Sequence, residues 1–350
     1  MTTTSARLAL SRNALLLRPL LPCAAVAVTL VMGAQPARAQ YNFQSIVNNT
    51  DPTFNQELGI NNAGTIAGYF GIGGVPGHPN QGYVVSPPYG QPNFTPENFP
   101  TSVQTQVTGI NDSGVTVGFW SNSNLGGGQD SNFGFVDKSG TFTNINNPAT
   151  PAATPSFNQL LGVNNSNVAV GFYTDAAGMT HGYTYNIASN TFSANIDDPH
   201  AGPMGTTAAA INNSGEIAGF YFDATGVLHG FTDAGGTFTT IDPTGSQSTV
   251  LLGLNDNGFA VGDYIDAGGT MHGLLYDLAN NTFVNEDDPF GVGTTTINGI
   301  NDRNQLVGFY VDGNDNTIGL LANPVPEPAS LTVLGAGLLG LVIIRRPRRA

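Results

Sequence analysis

Three histidines recur at one position of a repeated pattern, and histidine serves both as a catalytic base and as a metal ligand. They stand in His181-Gly182-Tyr183, His229-Gly230-Phe231 and His272-Gly273-Leu274. Zinc needs ligands that converge to about 2 Å from the ion, whereas residues of different repeats lie far apart. We therefore interpret them as repeated strand residues that cap the preceding hairpin, and we predict no metal ligand among them.

Clustered carboxylates are a second group that could do chemistry, because Ca²⁺ prefers six to eight oxygen ligands. The clusters are Asp197-Asp198, Glu286-Asp287-Asp288 and Asp312-Gly313-Asn314-Asp315. None has the spacing of an EF-hand or a calcium-binding nonapeptide, and Asp-Pro after a strand is typical of turns. Neighbouring strand residues point to opposite faces, so Asp197 and Asp198 alone cannot form a glycosidase pair. The sequence predicts no cofactor and leaves calcium open.

Signatures of common enzyme classes are missing from the sequence. It has no Gly-x-Ser-x-Gly elbow and no His-Glu-x-x-His zinc motif. The one cysteine, Cys23, precedes the predicted mature start, and Gly126-Gly127-Gly128 has no lysine partner for a phosphate. We predict no catalytic or cofactor-binding residue, and the sequence favours a structural or binding role over catalysis.

The elements that position these residues come from one motif that occurs six times, as in Ile211–Tyr221 (INNSGEIAGFY). Successive copies are 50, 53, 48, 43 and 46 residues apart, which indicates a repeat architecture. We interpret the shared asparagine as a structural turn residue, with asparagine and glycine supplying positive φ angles. The six asparagines are Asn61, Asn111, Asn164, Asn212, Asn255 and Asn301.

Each repeat reads as four short antiparallel strands joined by turns. The second strand is apolar on both faces, apart from Thr116, so it must be covered on both sides. A glycine recurs within it, and this predicts close approach of another backbone or side chain, which would let the units pack. The sixth copy lacks its fourth strand, and residues 41–48 have that strand's pattern.

These observations predict an all-β fold: a six-bladed β-propeller of four-stranded antiparallel blades, over residues 40–324, closed by the N-terminal strand. An open solenoid or a stacked sandwich with an unpaired first strand is the alternative. Residues 40–324 contain two basic and 23 acidic residues, a net charge of −21. This balance argues against nucleic acid as a partner, because nucleic-acid binding needs lysine and arginine.

Residues 1–39 are typical of a signal peptide for the secretion machinery: a basic start, an apolar run and a small-x-small site. Cleavage would follow Ala37-Arg38-Ala39 and leave Gln40 first. Cys23 could alternatively be a lipoprotein cysteine, although Pro22 before it and the continuing apolar run fit that poorly.

Residues 325–350 form a separate segment. Within it, Ala329–Ile344 is an uncharged apolar run that we predict to be a single helix. At about 24 Å such a helix is slightly short for a permanent span. The segment resembles the PEP-CTERM sorting signal, whose bearers are exported by Gram-negative bacteria and cut by an exosortase-like enzyme. That resemblance implies a membrane-inserted precursor, transient insertion of the helix and a cell-surface or extracellular destination; an ordinary membrane anchor is the alternative. The signal residues are Val325, Pro326, Glu327, Pro328, Arg345, Arg346, Arg348 and Arg349.

The body resembles the extracellular HAF repeats, which carry His-Ala-Phe where this chain has His229-Gly230-Phe231. That resemblance implies location rather than activity. The first two copies have long loops, Gly71–Asn80 and Ser121–Asn132, with Trp120 nearby. We expect any binding site there or in the central channel. Trp120 is either a sugar-stacking residue or a core aromatic. We predict a surface or matrix protein associated with exopolysaccharide; the alternative is a secreted polysaccharide hydrolase or lyase.

Overall fold

A computed structural model of the chain describes residues 41–152 and 155–325. They fold into six four-stranded antiparallel sheets, the blades of a β-propeller, which confirms the predicted fold class. The first strand in the chain is β1 (Tyr41–Ile46). Blade 1 follows with β2 (Asn55–Ile60), β3 (Ile66–Phe70), β4 (Gln81–Val85) and, after a 3₁₀ turn at Gln91–Asn93, β5 (Phe94–Pro96).

The next four blades repeat this order without interruption. Blade 2 has β6 (Gln104–Ile110), β7 (Val115–Ser121), β8 (Phe133–Lys138) and β9 (Thr141–Ile145). Blade 3 has β10 (Asn158–Val163), β11 (Val168–Thr174), β12 (Thr180–Asn186) and β13 (Thr191–Phe192). Blade 4 has β14 (Thr206–Ile211), β15 (Ile217–Phe222), β16 (Leu228–Asp233) and β17 (Phe238–Ile241). Blade 5 has β18 (Ser248–Leu254), β19 (Phe259–Ile265), β20 (Met271–Asp277) and β21 (Thr282–Asn285).

Blade 6 is built from both ends of the described chain. It contains β22 (Thr296–Ile300), β23 (Leu306–Val311) and β24 (Thr317–Pro324), and β1 is its fourth strand. The pairing runs antiparallel from Tyr41 opposite Pro324 to Ile46 opposite Gly319. The predicted closure is therefore confirmed, and the ring is complete within residues 41–324.

The ring has two faces, which we define by their connections. On the hairpin face, first and second strands are joined, as are third and fourth strands; on the loop face, second strands lead to third strands and each fourth strand leads to the next blade. Because β24 ends and β1 begins on the hairpin face, both ends of the described chain leave there. The first-to-second turns are residues 61–65, 111–114, 164–167, 212–216, 255–258 and 301–305, and the second-to-third loops are 71–80, 122–132, 175–179, 223–227, 266–270 and 312–316.

The core lies between neighbouring blades, as the apolar second strands require. Val117 of blade 2 packs in one cluster with Leu160 and Tyr183 of blade 3, for example, and all three are fully buried. The predicted close approach of another backbone at the recurring glycine is confirmed, but that backbone belongs to the same blade and not to a neighbouring one. A β-carbon at Gly118 would collide with the carbonyl oxygen of Gln106 in the same blade, because the first strand bulges there. It is Gly59 and Gly109, on adjoining first strands, that bring two blades together.

Among the described residues, no helix is long and apolar enough to cross a membrane. The predicted C-terminal helix, the signal peptide with Ala37, Ala39 and Gln40, and the sorting residues after Val325 lie outside the described residues.

Candidate functional site

The six motif asparagines form a ring on the hairpin face around the central channel. Each is 3–7% exposed, and its Oδ1 accepts backbone N–H groups two and four residues later, at 2.9–3.1 Å. Positive φ is found three residues after the asparagine, at Gly64 or Asn167 for instance, and not at the asparagine itself. The asparagine thus fixes the turn by accepting hydrogen bonds, which corrects the predicted reason for its recurrence.

These asparagines also join the blades. In five of the six, Nδ2 donates to the backbone oxygen of the next motif asparagine at 2.9–3.1 Å. Asn212 is the exception, since its Nδ2 donates to Glu216 at 3.3 Å. The following residue forms a second ring, in which each backbone N–H donates to the next blade's side-chain oxygen at 2.7–2.9 Å. This ring consists of Asn62, Asp112, Asn165, Asn213, Asp256 and Asp302.

The central channel encloses little space. The cavity at the asparagine rings and the one between the first strands are each about 80 Å³, and their linings come from equivalent positions of the six blades. The polar atoms at the channel mouth are already bonded to one another. The channel is therefore a poor candidate for a specific site.

The loop face differs from blade to blade. In blades 3, 4 and 5, each histidine lies between two carboxylates: Nδ1 contacts the segment after the fourth strand at 2.7–3.0 Å, and Nε2 faces the second-to-third turn at 3.4–3.7 Å. For His272, burial opposes protonation, but Asp287 and Asp266 outweigh it and raise its pKa. The three triplets are Asp175–His181–Asp197, Asp223–His229–Asp242 and Asp266–His272–Asp287.

The histidine triplets were missed in the sequence, although a signal was present: the three repeats with histidine also have both aspartates. Within the part of the chain that the structure describes, no three His, Cys, Asp or Glu side chains are placed to hold a metal ion. The predicted acidic clusters contribute to turns instead. Asp198 accepts from the backbone N–H of His200 at 2.8 Å, and Asp312 accepts from Asn314 and Asn316 at 2.8 and 2.9 Å.

The two long loops of blades 1 and 2, at which we expected a binding site, dock against each other. Asn124 bridges them, donating to the Gly73 carbonyl at 2.7 Å and accepting from the Gly77 N–H at 2.7 Å. Asp130 organises the second loop by accepting from Ser123, Leu125, Gly126 and Gln104. Burial alone would raise the pKa of Asp130, but these hydrogen bonds hold it below its usual range. Asp130 is therefore an ionised, fully engaged structural group.

Between these loops and blade 3 lies a cleft of about 200 Å³. Two half-buried aromatic rings line it, Phe119 and Phe157, and neither has a ring partner among the described residues. Gln106 also lines it, and its side chain forms no hydrogen bond with any described residue. Gln159 donates to Asn132 at 2.7 Å, which leaves the Gln159 oxygen and the Asn132 amide nitrogen free. The cleft thus combines open aromatic rings with unused amide donors and acceptors.

Trp120 borders this cleft but is chiefly a packing residue. Its ring stacks on Phe99 at 4.4 Å and contacts Phe133 at 4.9 Å, and its N–H donates to Asn144 at 3.0 Å. Tyr264, at the equivalent position of blade 5, likewise donates to a fourth-strand asparagine, Asn285, at 2.9 Å. Of the two interpretations of Trp120, the geometry favours the core aromatic.

Three carboxyl groups, of which Glu57 is buried and Glu97 and Asp263 are half-buried, break apolar rows of the repeat and were also missed in the sequence. Glu57 stands where other blades have Val, Leu, Ala or Ile; it accepts from the Tyr83 hydroxyl at 2.7 Å, and burial raises its pKa. Burial also raises the pKa of Glu97 to about 7 and that of Asp263 to about 6. Glu97 contacts Thr116, which explains the one polar residue in the apolar row.

Comparisons with known proteins identify a sorting motif and proteins of similar fold. Residues 324–349 match the PEP-CTERM protein-sorting motif, whereas no curated protein matches the chain. Putative TolB from Agrobacterium tumefaciens is similar at 14% identity over 81% of this chain and 97% of its own, with a TM-score of 0.51. AofleA from Arthrobotrys oligospora (10% identity, 81% and 86% coverage) has a TM-score of 0.49, and an ulvan lyase (12%, 77% and 78%) one of 0.42.

At these identities the likeness to solved structures concerns the fold alone. The HAF resemblance gains no support from the comparisons and stays a prediction. The sorting motif implies export, targeting to the cell surface and processing by exosortase-like machinery. The chain therefore combines a six-bladed propeller with the sorting motif of exported, surface-targeted proteins.

Proposed function

We propose that this protein binds polysaccharide at the cell surface through the cleft between blades 1, 2 and 3. Exopolysaccharide is the partner that suits its destination. Two observations support this proposal. The sorting motif implies a surface location. The observation that carries the proposal is the pair of open aromatic rings in the cleft, Phe119 and Phe157, beside the free amide groups of Gln106, Asn132 and Gln159.

Sugar rings offer C–H faces that pack on aromatic rings and hydroxyl groups that both donate and accept hydrogen bonds. Amide side chains are suited to such hydroxyls because they carry donors and an acceptor together. A volume of about 200 Å³ is below the roughly 300–1,000 Å³ of common ligand pockets. The cleft therefore suits a single sugar residue of a longer chain that continues across the loop face.

The cleft supports binding better than hydrolysis or elimination. Glycoside hydrolysis generally uses two carboxyl groups roughly 5–10 Å apart. Asp130 is the sole titratable side chain among the described residues that line the cleft, and its oxygens are taken by loop hydrogen bonds. The cleft therefore lacks the pair of carboxyl groups that glycoside hydrolysis generally uses.

The segment boundaries belong to the same proposal. A signal peptide over residues 1–39 is removed before Gln40, the propeller comprises residues 40–324, and residues 325–350 form a membrane-inserted precursor segment in a Gram-negative bacterium. Terminal sequencing by mass spectrometry of the surface-extracted protein tests this. We expect a start at Gln40 and an end near Val325–Pro328; an intact C-terminus at Ala350 would contradict processing.

The binding proposal is tested by screening neutral and acidic glycans for binding and for degradation, followed by two matched pairs of variants. Phe119→Ala should weaken binding about tenfold or more, or about 1.4 kcal/mol, whereas Phe220→Ala alters the same repeat position in blade 4 and should not. Gln106→Ala and Thr207→Ala form the second pair. Equal effects within each pair, at unchanged thermal stability, would rule out the cleft as the site, and product release would favour an enzyme.

A further inference from the structure

Both faces carry carboxylates, such as Asp112 and Asp256 on the hairpin face, but they differ in the placement of the cations. Lys138 and Arg303 are the only lysine and arginine in residues 41–324, and both lie on the hairpin face, at the end of β8 and between β22 and β23. The loop face has carboxylates in the connections of every blade, such as Asp51, Asp175 and Asp315. The electrostatic potential of the loop face is therefore negative, and only its histidines, when protonated, carry a positive charge there.

The loop face also holds the exposed apolar side chains. All eight large hydrophobic residues that are exposed among the described residues lie in its connections. Val75, 42% exposed, and Leu125, 57% exposed, belong to the two loops that form the cleft. Exposed apolar residues gathered on one side mark an interaction surface. The others are Ile72, Val103, Met204, Val227, Phe290 and Val292.

No group in the cleft could neutralise an anionic ligand. Asp130 is ionised and 9% exposed, and the remaining polar residues of the lining are amides and hydroxyls. A uronate or sulfate placed there would lose its hydration and gain only a like charge nearby, which is unfavourable at short range. Amides and open aromatic rings have no such conflict with uncharged sugars.

We propose that the loop face selects uncharged polysaccharide and rejects uronate-bearing or sulfated chains, and that the cleft is where the sugar is recognised. This rests on the proposed function and specifies its ligand class. Charge complementarity governs which partners are refused as well as which are accepted. The two kinds of group on the loop face have different effects: the apolar groups and amides hold the sugar, and the carboxylates exclude acidic polymers.

The test uses the mature protein purified from the cell surface. Neutral oligosaccharides and uronic-acid oligosaccharides of equal length are titrated at low and high salt, with and without Ca²⁺. We expect the neutral series to bind about tenfold or more tightly, with little salt dependence because no ion pair forms. Tighter binding of the uronates, in Ca²⁺ or without it, would overturn the ligand class but leave glycan binding intact; binding of neither series would overturn the proposed function itself.

A charge variant makes the test sharper. Leu125→Lys places a cation in one of the two loops that form the cleft, and Leu125→Gln is its neutral control; Val75→Lys repeats the change on the other loop. The lysine variants should gain several-fold affinity for uronates at low salt and lose that gain at high salt. Neutral-sugar binding by Leu125→Lys should match that of Leu125→Gln within about twofold, because both variants lose the same apolar side chain and differ only in charge. If the lysine variants leave uronate affinity unchanged, charge does not set the selectivity and the proposal is wrong.

Discussion

The two faces of the ring are made by the same six repeats, yet one is nearly symmetric and the other is not. On the hairpin face, the asparagine ring is interrupted once, at Asn212, and the second ring is complete. On the loop face, three blades have histidine triplets and two have long docked loops. Repeated positions hold the ring together, whereas the loops that differ between blades form the walls of the proposed cleft.

The largest effect should come from the hairpin face. Asn111→Ala removes two turn hydrogen bonds and two contacts with blade 3, from Nδ2 to Asn164 and Asn167. We expect a loss of about 3 kcal/mol in the free energy of unfolding, measured by denaturant titration. Asn212→Ala, which breaks no bond between blades, should cost about 1 kcal/mol less. Equal losses would show that the bonds between blades add no stability.

The next largest effect is expected where blades 1 and 2 are in contact, because Glu97 interrupts an apolar row of the repeat there. Burial, opposed by the Thr116 hydroxyl and aided by Asp137, raises the pKa of Glu97 from 4.5 to about 7. Because the folded protein binds this proton more tightly, stability is lost as pH rises from about 4.5 to 7, by about 3 kcal/mol in total. Glu97→Gln should remove that part of the decline. Parallel pH–stability curves for both proteins would contradict the raised pKa.

A smaller effect is expected from the loop that forms the cleft. Asp130→Asn weakens the hydrogen bonds to Leu125 and Gly126, so glycan affinity should fall about tenfold while global stability changes by within about 1 kcal/mol. Hydrogen exchange of residues 122–132 reports the loosening directly. Asp312→Asn, in the corresponding loop of blade 6, is the control and should leave affinity unchanged. A loss of affinity in both variants would mean that the loop face acts as a whole.

The smallest effect concerns a histidine triplet. The pKa of His272, followed by NMR, should be raised above its ordinary value, because Asp287 and Asp266 together outweigh the effect of burial. The raised pKa stabilises the fold at low pH, and that contribution disappears as pH rises through the folded pKa. Asp287→Asn should lower the midpoint of the His272 titration. An unchanged midpoint would show that the carboxylate does not govern this imidazole.

The ring closure could be predicted because counting was enough. Six motifs followed by five fourth strands left one strand missing, and residues 41–48 had its pattern. The structure pairs this strand with β24, with Tyr41 opposite Pro324, a register that the sequence did not predict. The reason for the motif asparagine was not accessible in this way, since its role depends on which backbone N–H groups its oxygen reaches.

The cleft was predicted only as a region. Loop length pointed to residues 71–80 and 121–132, but Gln106 and Phe119 stand at ordinary repeat positions. They become a site because the loops of two blades dock across them, and no local pattern encodes that contact. The histidine triplets are intermediate: each histidine has one partner 6 residues away and one 13–16 residues away, and their joint presence in three repeats could be seen in one chain.

The closing strand pair has a consequence for orientation. The chain passes from β24 towards its sorting motif on the hairpin face, beside the start of β1. Any tether made through that end holds the disc by its symmetric side. The asparagine rings would then face the envelope, and the cleft would open towards the surroundings of the cell. A single strand exchange thus closes the ring and also places Val325, the last residue that the structure describes, on the hairpin face.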